Sequence, residues 1–119
     1  MSGIEKQIKL LYSKDRNEAY EALKELQKIS FESDKVYAHL DEFISMLDSE
    51  NSYLRSRGLT LIASNAKWDC AKKIDTVIDN YLQHITDAKP ITARCFIKTV
   101  RELAKYKPEL KTKIIHALQ

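Results

Sequence analysis

The chain has 119 residues, 44% of them hydrophobic and 31% charged, with a net charge of +3. That length is one domain, and that balance excludes a disordered polyelectrolyte. Two glycines and two prolines argue against an all-β fold of many tight turns, and Gly3 and Gly58 stand too far apart to build a glycine-rich phosphate loop. Cys70 and Cys95 are too few for a disulfide scaffold. No apolar run approaches the ~20 residues of a membrane helix. Residues 4–12 are interrupted by Glu5, Lys6 and Lys9 where a signal peptide would be uninterrupted. The expected compartment is the reducing cytoplasm, with no membrane contact.

Apolar residues recur at helical spacing almost throughout. A leading helix over about 3–13 carries Ile4, Ile8, Leu11 and Tyr12, and residues 13–15 break it and supply a cap. The second helix sets Ala19, Ala22, Leu23, Leu26 and Ile29 against a charged face of Glu18, Glu21, Lys24, Glu25 and Lys28. Ser33 or Asp34 caps a third, with Val36, Leu40, Phe43, Ile44 and Leu47. After a loop at 48–52 the fourth helix is apolar over most of its circumference, from Leu54 through Gly58, Leu61 and Ile62 to Ala66, as in a helix buried on several sides. Trp68 and Asp69 close it. A fifth bears Ile74, Val77, Ile78, Tyr81, Leu82 and Ile85. Pro90 opens the sixth, where its missing N–H is harmless; that helix carries Ala93, Phe96, Ile97, Val100, Leu103 and Ala104. A break at Lys107 and Pro108 precedes the seventh, with Leu110, Ile114, Ala117 and Leu118. No segment alternates with period two, so no strand is expected.

The helices repeat. Arg16, Arg55 and Arg94 stand 39 residues apart, each followed by small or apolar residues in the same register. Val36, Leu40, Phe43, Ile44 and Leu47 recur 38 residues on as Ile74, Ile78, Tyr81, Leu82 and Ile85. Two helices per 36–39 residues is the range of helical repeat arrays. The stretches at 15–23 (Arg16, Ala19, Ala22, Leu23) and 53–62 (Leu54, Arg55, Gly58, Leu61, Ile62) resemble the HEAT family, which is armadillo-like. The chain also resembles short bacterial HEAT-repeat proteins sometimes labelled SufBD-type, although nothing in it supports iron–sulfur chemistry. The resemblance covers about residues 4–118. It implies a single all-α, right-handed α-α superhelix of about seven helices, with a leading helix and repeats at about 14–48, 51–86 and 89–119. It also implies a ladder of polar side chains between repeats, here Arg16, Arg55 and Arg94 with Asp48 and Asp87. The two aspartates lie seven residues before an arginine where the family has six, so the ladder is expected to be shifted or incomplete. Neighbouring repeats share a core, and the second-type helices line the surface that such proteins usually turn to a ligand.

Cysteine and histidine show no metal spacing: Cys70 and Cys95 are 25 apart, and His39, His84 and His116 fall in different helices. No nucleophile has its base nearby, so no catalytic residue, metal or cofactor is expected. Cys95 is read as a packing residue. Two surfaces remain. Asp41, Glu42, Ser45, Asp75, Asp79, Asn80 and Gln83 form a polar strip on the second-type helices, where a protein or peptide partner would lie, with Tyr37, Tyr53, Tyr81 and Tyr106 as anchor-type side chains, although Tyr81 occupies a core position in the repeat register. Lys98, Arg101 and Lys105 share a face of the sixth helix within a basic last third, where residues 89–119 hold eight cations against Glu102 and Glu109. The expected function is a non-catalytic protein-interaction module. The alternative is a nucleic-acid-binding HEAT protein, with an architecture like that of the alkyl-base DNA glycosylases, using the basic repeat. The last helix runs towards Gln119 with Ile115 beside its stripe and no polar cap, so the chain is expected to be a monomer, a weak dimer through the C-terminal repeat, or a piece of a longer array.

Overall fold

The architecture is that of a computed structural model, which describes residues 3–118. The described residues form eight α-helices and four short 3-10 segments, without a strand. The α-helices are α1 (Gly3–Leu10), α2 (Arg16–Glu32), α3 (Leu40–Met46), α4 (Ser52–Ser64), α5 (Lys73–Thr76), α6 (Ile78–Leu82), α7 (Pro90–Tyr106) and α8 (Lys111–Leu118). No helix is long and apolar enough to cross a membrane. Gln119 lies outside the described residues.

Local chemistry sets the starts. Asp15 accepts hydrogen bonds from the N–H groups of Asn17 and Glu18 at the head of α2, and Asn51 does the same for Tyr53 and Leu54 at the head of α4, each filling donors that have no partner within the helix. Pro90 is the first residue of α7.

The expected fifth helix is not continuous. It is divided into α5, α6 and a 3-10 turn at Gln83–Thr86. The Thr76 hydroxyl donates to the Lys73 carbonyl at 2.7 Å, and the Val77 N–H turns to Ile74 one residue earlier than an α-helix requires. A side chain that competes for a helix carbonyl tightens or ends the turn. The third and seventh expected helices likewise begin as 3-10 turns, at Tyr37–His39 and Pro108–Leu110. That makes eight α-helices in place of seven.

The long helices α2, α4 and α7 pack side by side in chain order, and the shorter α1, α3 and α8, with the 3-10 turn after α6, pack against them as a second layer. Overall extents of 40 × 32 × 18 Å fit two helix layers in depth. The core runs through both layers: Leu26, Leu40, Phe43, Leu59, Leu61, Ile62, Ile74, Ile78, Tyr81 and Phe96 are all at most 2% exposed. Helix α4 lies at the centre and packs on α2, α3 and α7. A Cβ at Gly58 would sit 2.8 Å from the Phe43 carbonyl oxygen and 2.9 Å from the Met46 Cβ, so only glycine allows α3 and α4 to approach this closely.

Side-chain hydrogen bonds between elements have a narrow span. From Tyr12–Glu42 at 30 residues to Ser52–Thr92 at 40, they join points 30–40 residues apart. Among the described residues the departures include Arg57 to the Leu11 carbonyl at 46, Tyr81–Thr99 at 18 and, within the divided fifth helix, His84 with the Asn80 carbonyl at 4.

Candidate functional site

Three groups with shifted ionisation, Tyr37, Asp69 and Lys107, meet at the end of α7. Lys107 is 3% exposed. Its ammonium lies 2.9 Å from Asp69 Oδ2, 3.1 Å from the Asp69 carbonyl oxygen and 2.7 Å from Asp75 Oδ1, with Glu109 further out at 3.6 Å. The Asp69 carboxylate is wholly buried and also accepts from the Tyr37 hydroxyl and from the N–H groups of Lys73 and Ile74. It therefore holds the head of α5 in place of an N-cap side chain, while Lys72 takes the left-handed conformation beside it. Burial works against the charged form of Asp69, yet the hydrogen bonds from Tyr37, Lys107 and Ile74 outweigh it and hold the carboxyl below its ordinary value. Burial likewise lowers Lys107, but Asp75 and Asp69 prevail and raise it. Burial and Asp69 push the Tyr37 phenol up.

Perturbed groups of this kind are the usual mark of a reactive site; here they face chiefly one another. The Lys107 ammonium donates to the Asp69 carbonyl and makes ion-pair contacts with Asp69 Oδ2 and Asp75 Oδ1. Asp69 accepts four hydrogen bonds. The cluster ties Tyr37, the α5 head and the end of α7 together. It also changes the sequence reading of two residues. Asp75, expected on the partner surface, is half-buried and bound to Lys107, and Lys107 is not part of the free basic charge. The separation of Asp69 from Lys107 is 38 residues, the same as the helix repeat, and that coincidence was the sequence signal for the pair.

Of the arginines, Arg55 makes a bidentate pair with Asp87, Nε and Nη2 each 2.8 Å from a carboxylate oxygen, and its Nη1 donates to the carbonyls of Ser49 and Glu50. The Arg55 hydrogen bonds hold the Asp87 carboxyl well below its usual range against its partial burial. The same 32-residue step from Arg16 would reach Asp48, but Asp48 accepts instead from Asn80 at 3.2 Å, and Arg16 stacks over the Tyr53 ring 4.8 Å from its centroid. Arg94 is exposed and has no hydrogen bond or ion pair among the described residues. The arginine missed by periodicity is Arg57. It is buried, and its Nη1 donates to the Leu11 carbonyl at 2.8 Å, placing a cation at the C-terminal end of α1.

The rest of the polar strip stays near the surface. Asp41 forms an exposed pair with Lys73, Glu42 accepts from the Tyr12 hydroxyl at 2.9 Å, and Ser45 turns back to the Glu42 carbonyl. Burial and the Glu42 bond push the Tyr12 phenol up to about 12. Asp79, Gln83 and Leu82 line a shallow groove of about 560 Å³ against Thr112, Lys113 and His116 of α8. Tyr81 is not an anchor: it is fully buried, bonded to Thr99 and tilted against Phe96.

Lys98, Arg101 and Lys105 are all exposed on α7. They are not gathered over one cavity: Lys98 lines a groove of about 340 Å³ with Phe31, Thr60, Lys67 and Glu102, and Lys105 lies over the Tyr106 ring. Cys95 is half-buried with its thiol on the Ser56 carbonyl and Thr60 hydroxyl, and burial raises its pKa. His84 is buried, with one ring nitrogen 2.9 Å from the Asn80 carbonyl and the other 3.0 Å from that of Leu47. Among the described residues no group of three or more His, Cys, Asp or Glu is arranged to hold a metal. Compared with family models, with curated proteins and with solved structures, the chain shows no significant match.

Proposed function

We propose that the chain is a HEAT-like α-solenoid acting as a non-catalytic module that presents a preformed helical surface to a protein or peptide. The observation that carries the reading is the span of its cross-element hydrogen bonds, 30–40 residues from Tyr12–Glu42 to Ser52–Thr92. Each unit touching only its neighbours in sequence is how a repeat array differs from a bundle with mixed long-range contacts. The Lys107 cluster, which joins the head of α5 to the end of α7, supports a structural role for that ionic site. The surface offered to a partner is then the strip of Asp41, Glu42, Ser45, Asp79, Asn80 and Gln83, with the α6–α8 groove at its end. Affinity capture with the wild-type chain and with an Asp79→Lys, Gln83→Ala variant tests it. A partner held by the first and lost by the second is expected, and one held equally by both refutes this surface.

A second reading rests on the exposed cations of α7. Lys98, Arg101 and Lys105 have no carboxylate partner among the described residues and are free to meet phosphates. Binding through three charges is weak and falls steeply with salt. A gel shift at low salt with duplex and single-stranded DNA or RNA decides it, and no shift at low salt removes it.

A further inference from the structure

The two ends of the stack are unlike each other. In α7, Thr92 and Cys95 reach α4 through the Ser52 and Ser56 carbonyls. Ile97 lies two residues beyond Cys95, about 200° round the helix at 100° per residue, and so faces away from α4; it is 41% exposed. In α8, Lys113, His116 and Ala117 line the groove to α6. Ile115 and Leu118 are on the other side, 46% and 45% exposed. Helices α7 and α8 pack on each other, so this end of the slab offers Ile97, Ile115 and Leu118 as exposed apolar side chains. Arg94 and Arg101 flank Ile97 at three and four residues along α7, and Lys111 precedes Ile115 by four, so these neighbours share its face. All three cations are exposed, without an acidic partner among the described residues.

The opposite end has the complementary form. Gln27 and Phe31 of α2 face α4 across a groove, and Glu25 is on the other side of α2. There α1 and α2 enclose an open groove of about 640 Å³, with half-buried Ile4 and Ile29 in it and Glu25 and Glu32 at its edge, beside Lys35. Glu18 and Glu21 continue this edge along α2, with exposed Lys28 between Glu25 and Glu32, so the edge keeps an acidic excess. All four glutamates are exposed and have no ion pair among the described residues.

We infer that the chain associates head to tail with a second copy of itself, the Ile97–Ile115–Leu118 patch of one copy entering the α1–α2 groove of the next. Charge selects this occupant. A two-fold dimer through the same patch would set Arg94, Arg101 and Lys111 against their own copies, whereas the head-to-tail contact sets them against Glu25 and Glu32. The contact is open-ended, because each copy keeps one free end of each kind. It is also weak: three apolar side chains enter an open groove, far short of the ~20–30 residues a side of a standard interface. None of the polar-strip residues takes part, so the association stands or falls apart from peptide binding.

Sedimentation velocity tests it over roughly 10–500 µM, which brackets weak association, at about 20 mM and about 500 mM salt, which differ severalfold in screening length. The wild-type chain should grow in mean mass past two copies as concentration rises, less so at high salt. Arg94→Glu with Arg101→Glu, and separately Glu25→Lys with Glu32→Lys, should each weaken association about tenfold or more, because like charges then meet in both ends of the contact. An equimolar mixture of the two variants restores opposite charges at every contact and should assemble again. All four positions are exposed, and unchanged thermal unfolding of each variant alone confirms its fold. Ile97→Ser should weaken assembly without altering its salt dependence. A wild-type chain that stays monomeric throughout, a mass that stops at two copies, or a mixture no larger than its separate components overturns the inference.

Discussion

Replacing Lys107 by methionine keeps the length and apolar stem of the side chain and deletes the ammonium. The Asp69 carboxylate, with no exposed side-chain surface, then loses the donor 2.9 Å from Oδ2, and Asp75 loses the one at 2.7 Å. Breaking a buried pair by removing one partner costs ~3–5 kcal/mol, because a desolvated charge is left without its counterion. Asp69 retains Tyr37 and two backbone N–H donors, and Asp75 keeps 18% of its side chain in water. The expected loss is therefore at the lower end, about 3 kcal/mol, or about 12 °C in Tm for a chain of this size. Urea unfolding followed by circular dichroism at pH 7 measures it. A loss below ~1 kcal/mol, the worth of an ordinary exposed ion pair, would refute the view that this cluster is desolvated. Adding Asp69→Asn to Lys107→Met removes the stranded charge, so the double variant should be less destabilised than the two single losses summed.

The same cluster fixes the pH dependence. Asp69 and Asp87 titrate below their unfolded values, so the stability they supply is present above an unfolded carboxyl pKa of ~3.9 and is lost as pH falls through their folded values. Lys107 titrates above its unfolded value, so its contribution is full below ~10.4 and is lost as pH rises through the folded one. The wild-type advantage over Lys107→Met should therefore form a plateau from roughly pH 5 to 9 and shrink outside it. A difference that disappears near neutrality would contradict both directions.

Arg55→Lys replaces a two-pronged contact with Asp87 by a point charge and abandons the Ser49 and Glu50 carbonyls; it should cost about 1–2 kcal/mol in urea unfolding, whereas Arg94→Lys, exposed and unpaired, should stay within about 0.5 kcal/mol. Gly58→Ala gains ~1 kcal/mol of helix propensity but drives a methyl into the Phe43 carbonyl, and a net loss of ~1–3 kcal/mol in thermal unfolding is expected from the overpacking; a stabilised variant would show that α3 and α4 can part freely. Cys70 is exposed whereas Cys95 is half-buried with a raised pKa, so an alkylating reagent followed by mass spectrometry should label Cys95 at least ~10-fold more slowly.

Periodicity located the helices well because most of them bury a stripe, and the stripe is what a 3.6-residue repeat reveals. It could not divide the fifth helix: Ile74, Ile78 and Leu82 keep helical spacing across the break, and the cause lies in the Thr76 hydroxyl and the Asp69 carboxylate. The site residues were harder for a similar reason. Asp41, Glu42, Ser45, Asp79 and Gln83 were placed from position within an amphipathic helix, which needs only local geometry. Asp75 has the same local signature and a different fate, since its exposure is decided by Lys107 arriving from 32 residues further on. Asp48 and Arg16 show the limit of spacing in the other direction. They stand at the same 32-residue step as Asp87 and Arg55, yet Tyr53 and Asn80 offer them other partners.

Those partners matter because the core alone does not define the register. Apolar burial is non-directional, and a slip of α7 along α4 by one turn would return aliphatic side chains to aliphatic surroundings. The polar contacts do not survive the slip. Arg55 would leave Asp87, Lys107 would leave the Asp69 carboxylate buried without its counterion, and the Ser56 and Ser52 carbonyls would lose Cys95 and Thr92. An unpaired buried charge is costly in a way a mismatched leucine is not. On this argument Lys107→Met with Asp69→Asn and Asp75→Asn should regain stability over Lys107→Met alone while losing uniqueness of packing. Broadened amide resonances of α5 and α7 in the triple variant, beside a sharp wild-type spectrum, are the expected signature; a spectrum as sharp as wild type would assign the register to side-chain shape alone.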